Sequence, residues 1–148
     1  MLNNLYDPLV EIANVIKTIV RPEFVWMNLE IDLIDTDIFD VDVAIPPNEN
    51  VGVIVQYTGF KTDTNHKNTV ISNIINLEYR IIVIAPDELF HSVVGVKWIE
   101  ILKALNGLSI GEQCFKLTLI DDIREFNEPD FVSGFCATPM VLSLKAIV

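Results

Sequence analysis

Apolar residues recur with a helical period at only two places in this sequence, and strand-like alternation fills most of the rest, so the order of elements limits the fold before any motif is considered. The first helical stripe is Leu9, Ile12, Ala13, Ile16, Ile19 and Val20. Asp7-Pro8 ahead of it offers an N-cap and a proline at the first helical position, where a missing donor costs nothing. After Arg21-Pro22 the period changes to two. Val25, Met27, Leu29, Ile31 and Leu33 alternate with Trp26, Asn28, Glu30, Asp32 and Ile34, which predicts a strand over residues 24–34 with one apolar and one mixed face.

Residues 35–45 can form a second short strand, stopped by Pro46-Pro47. A Val-rich run over residues 51–60 places Val51, Val53, Val55 and Tyr57 on one face and reads as a central strand. The polar stretch 61–73 then forms a long hairpin loop leading to another strand over residues 77–85. The second helical stripe is Val94, Trp98, Ile101, Leu102 and Leu105, with Ser92 or His91 as its cap and Gly107 as its stop signal. Two β segments follow, over residues 114–126 and 131–148, and Gly134 and Pro139 predict a bulge or bend in the second.

This order lacks the alternation of strand and helix that a parallel, doubly wound sheet requires. It predicts an α+β fold, a mainly antiparallel β-sheet with two helices packed on one face. At 148 residues the chain is expected to be a single domain, 1–148. Its apolar fraction of 51% excludes an intrinsically disordered chain. A net charge of -11 repels nucleic-acid phosphate and anionic membranes, so neither is an expected partner. No run of about 18 apolar residues occurs and the first residues lack a signal-peptide pattern, so a soluble, intracellular domain is expected.

The search for chemistry finds little. Glu30, Asp32, Asp35, Asp37, Asp40 and Asp42 form a conspicuous acidic series, but the glycine of a calcium loop is missing and the alternation with apolar residues suits a solvated strand face. His66 and His91 are the only histidines, and Cys114 and Cys136 the only cysteines; no nucleophile motif surrounds either cysteine. Small core residues are the simpler role for both thiols. Ser109 and Ser133 lie in no nucleophile-elbow context, and no glycine-rich phosphate loop is present. The expectation is therefore no catalytic residue, no metal, no cofactor and no enzyme activity. Trp98 falls on the apolar stripe of its helix, whereas Trp26, on the mixed face of its strand, is divided between core and interface.

Several blocks carry a resemblance: V-I-V-Q-Y-T-G-F at residues 53–60, L-E-Y-R-I-I-V-I-A at 77–85 and W-I-E-I-L-K-A-L-N-G-L at 98–108, set between an N-terminal amphipathic helix and a final pair of strands. In this order they are similar to the small tail-terminator, or tail-completion, proteins of tailed bacteriophages and related contractile particles. The resemblance implies a virion tail protein, assembled in the host cytoplasm, that caps the tail tube as a homo-oligomeric ring, commonly of six subunits. Its implied partners are the tail tube protein and the head-proximal connector protein, and it needs no active site. Ring closure requires two different patches on each subunit. Strand edges and the long hairpin are the natural candidates, namely Trp26 with Lys61, Asp63, Asn65, His66 and Lys67. Glu30 and Asp32 are expected to face solvent or the channel. A small ligand- or peptide-binding α+β module of the cytoplasm is the alternative, since one such layout hosts many roles.

Overall fold

A computed structural model describes residues 2, 4–28, 51–62, 74–86, 90–111, 116–120, 130–132 and 135–147. They form two α-helices, α1 (Asp7–Ile16) and α2 (Gly95–Leu105), and six strands: β1 (Val25–Asn28), β2 (Gly52–Thr62), β3 (Ile74–Pro86), β4 (Leu117–Leu119), β5 (Asp130–Val132) and β6 (Phe135–Ile147). The sheet runs in the order β1-β2-β3-β6-β4, with β5 also paired to β6. Every pairing is antiparallel except that of β1 with β2, which run parallel with Val25 opposite Val53 and Met27 opposite Val55. The fold is thus α+β with a mainly antiparallel sheet.

The period-2 pattern decides which side chains meet the helices. Val53, Val55 and Tyr57 of β2, Tyr79, Ile81 and Val83 of β3, and Met140, Leu142 and Leu144 of β6 form one buried cluster with Leu9, Ile12, Ala13 and Ile16 of α1 and Ile101 and Leu105 of α2. Both helices therefore pack on the same face. Two hydrogen bonds link their surroundings: the Glu11 carboxylate of α1 accepts the Gly111 backbone N–H in the segment after α2 (3.0 Å), while Lys97 near the start of α2 reaches the Ile19 carbonyl after α1 (3.5 Å).

Local capping departs from the sequence expectation at both helices. Asp7 is the first helical residue of α1 rather than its cap, Tyr6 occupies the cap position, and the Asn4 side chain accepts the Tyr6 N–H (2.9 Å). A carboxylate in the first turn still suits the helix dipole. Neither His91 nor Ser92 caps α2. A π-helical turn, Phe90–Val94, leads directly into it, and Val94 stands at the cap position with no side-chain hydrogen bond. Gly107 does end α2, at φ 86°, a left-handed conformation that favours glycine, and its N–H donates to the Leu117 carbonyl (2.8 Å) to start the return toward β4.

The expected loop 61–73 is shorter at its start, because Lys61 and Thr62 belong to β2, opposite Asn76 and Ile75 of β3. The register slips between Tyr57 and Gly59, so Thr58 is an extra residue on β2, with its hydroxyl donating to the Glu78 carbonyl (3.2 Å).

Pro139 produces no bulge, and Gly134, the other residue of that expectation, lies outside the described residues. The β3–β6 register passes through it without a shift, Ile82 facing Pro139 and Ile81 facing Met140. The reason lies on the opposite edge of β6, where β4 pairs with residues 142–144 and β5 with 135–137, leaving Pro139 in the gap between them. Ile120 donates to the Val141 carbonyl from that side, and in an antiparallel strand the residue two positions away points its backbone polar groups the same way. Pro139 therefore directs its donor-less nitrogen into a gap where, among the described residues, no strand pairs with β6.

Candidate functional site

The face of the sheet turned away from the helices carries a second, smaller cluster. Ile54, Ile82 and Ile84 are 4%, 0% and 1% exposed, and Trp26 packs against them from the β1 edge. Trp26 lies opposite Ile54 in the parallel register, with the Phe24 ring centroid 6.3 Å away. Its position depends on Gly52, since a Cβ there would fall 2.7 Å from Trp26 Cζ3. The Trp26 side chain is half-buried on the edge strand and packs against this cluster.

One step along the same face, Gln56 is 2% exposed and its Oε1 has no hydrogen-bond partner. It stands opposite Arg80 of β3, which in turn faces Val141 of β6. A buried amide oxygen without a partner is uncommon enough to mark a position. Sequence reasoning passed over Gln56, although a lone polar residue in the run V-I-V-Q-Y was a visible signal.

Among the other candidates, Lys61 is exposed on β2 and its Nζ lies 3.2 Å from Glu78 Oε1 of β3. Asp63, Asn65, His66 and Lys67 lie outside the described residues, as do Glu30, Asp32, Asp35, Asp37, Asp40, Asp42 and Cys114. For Cys136, opposite Ala85 in β6, and for His91, in the turn before α2, only the backbone is described. Trp98, expected in the core, is half-buried against the main cluster.

Three tyrosines bind the start of α1 to the sheet. The Tyr6 and Tyr57 rings meet edge-on at 6.0 Å and those of Tyr57 and Tyr79 lie 5.7 Å apart, tilted by 55°. The Tyr79 hydroxyl donates to the Leu5 carbonyl (3.0 Å). Burial, and then the neighbouring Tyr57, push the Tyr79 phenol well above the ordinary tyrosine range, and burial followed by Tyr6 raises Tyr57. Phenols held neutral in this way act as packing groups with a polar tip.

Among the described residues no cluster of three or more His, Cys, Asp or Glu side chains could hold a metal ion, and no helix is long and apolar enough to cross a membrane. What the described surface does offer is large apolar side chains exposed on several elements. On α2, Val96 and Ile99 are 53% and 43% exposed, three residues apart on one side of the helix; Phe60 of β2 is 59% exposed, and Val10 of α1, Met27 of β1 and Ile147 of β6 are exposed singly elsewhere. Compared with known proteins, the sequence matches no family model and no curated relative.

Proposed function

We propose that this protein is a structural component of a bacteriophage tail rather than an enzyme: a terminator that closes the tail tube as a ring of six copies and presents a surface to the head-proximal connector. The observation that carries the proposal is large apolar side chains exposed on separate parts of the fold, Val96 with Ile99 on α2 and, apart from them, Phe60 on β2. A ring built from one kind of subunit needs two different patches on each copy, one to meet the other on the next. Large apolar side chains left in water on an otherwise well-buried chain are the usual material of such contacts.

The blocks that resemble tail terminators supply the direction of the proposal. V-I-V-Q-Y-T-G-F lies within β2, L-E-Y-R-I-I-V-I-A within β3, and W-I-E-I-L-K-A-L-N-G-L runs from α2 through its terminating glycine. The charge of -11 adds to it, because a ring through which DNA travels works better when it does not grip phosphate.

Co-sedimentation with tail tubes tests the proposal. Tubes assembled without a terminator should carry the protein into the pellet at about one ring per free tube end, with saturation set by the number of ends rather than by tube length. Protein that stays in the supernatant, or that binds in proportion to tube length, would refute it.

A further inference from the structure

We draw no further inference here: the strongest candidate, the apolar cluster of Ile54, Ile82 and Ile84 with Trp26 on the sheet face turned away from the helices, beside the unpartnered Oε1 of buried Gln56, carries none, because nothing among the described residues shows what covers it.

Discussion

The indole N–H of Trp98 donates a hydrogen bond to the carbonyl of Pro139 across 3.3 Å, tying α2 to a stretch of β6 that, among the described residues, lies between the partners of β5 and β4. Two residues that look like separate oddities in the sequence thus depend on one another. Proline leaves its carbonyl in a gap of the ladder, and the tryptophan satisfies it. Trp98→Phe keeps much of the ring and removes the donor, so unfolding in urea should show a loss of about 1 kcal/mol with an unchanged m-value. An unchanged midpoint would show that the bond contributes nothing.

The buried tyrosines give the stability a defined alkaline limit. Both folded-state shifts are upward, for Tyr79 and Tyr57 alike. The folded protein therefore keeps protons that the unfolded chain releases near the ordinary tyrosine value of about 10. Their contribution is complete below about pH 10 and is lost progressively as the pH rises toward the raised folded values. Denaturant titrations between pH 8 and pH 11 should show stability falling only above about pH 10, with a shallower fall in Tyr79→Phe. Equal slopes in the two proteins would remove Tyr79 from the explanation.

Gly52 and Trp26 should behave as a coupled pair. The close approach of a Cβ at position 52 to Trp26 Cζ3 makes Gly52→Ala an overpacking change, with an expected cost of about 1–3 kcal/mol. In a Trp26→Ala background the same substitution should lose most of that cost, a coupling that a double-mutant cycle reads directly. Additive effects would mean that the ring moves aside freely.

How far the fold was legible depends on what each element uses. Leu9, Ile12, Ala13 and Ile16 on α1, and Val53, Val55 and Tyr57 on β2, are all buried on the shared core, because periodicity records a burial direction and little else is needed to read it. Strand direction leaves no such mark. Nothing in the alternation around Val25 announces that β1 runs parallel to β2, since neighbour and direction follow from the path of the whole chain. Caps failed for a related reason: Asp7 and Ser92 have the right chemistry for a helix start, but the turns leading into α1 and α2 begin elsewhere. Pro139 suggested a break because its position between the partners of β4 and β5 is a tertiary fact. The candidate site was less legible than the core. Exposed apolar residues carry no motif, and Val96 and Ile99 look in sequence like any other helical apolar residues.

The α2 surface can be separated from the fold by substitution. Val96 and Ile99 are exposed, so Val96→Glu and Ile99→Glu together should change the stability of the monomer by no more than about 0.5 kcal/mol per site. Under the proposed function the double variant should fail to assemble while retaining the circular dichroism of the parent. Assembly at the parent's concentration dependence would exclude this face from the interface, and an unfolded variant would contradict the exposure on which its role depends.

Electron microscopy of tail tubes incubated with the purified protein tests the central proposal most directly. A closed ring of identical subunits is expected at one end of each tube, with no further tube growth when fresh tube protein is added. Tubes whose ends remain bare and continue to elongate in the presence of saturating, folded protein would contradict it.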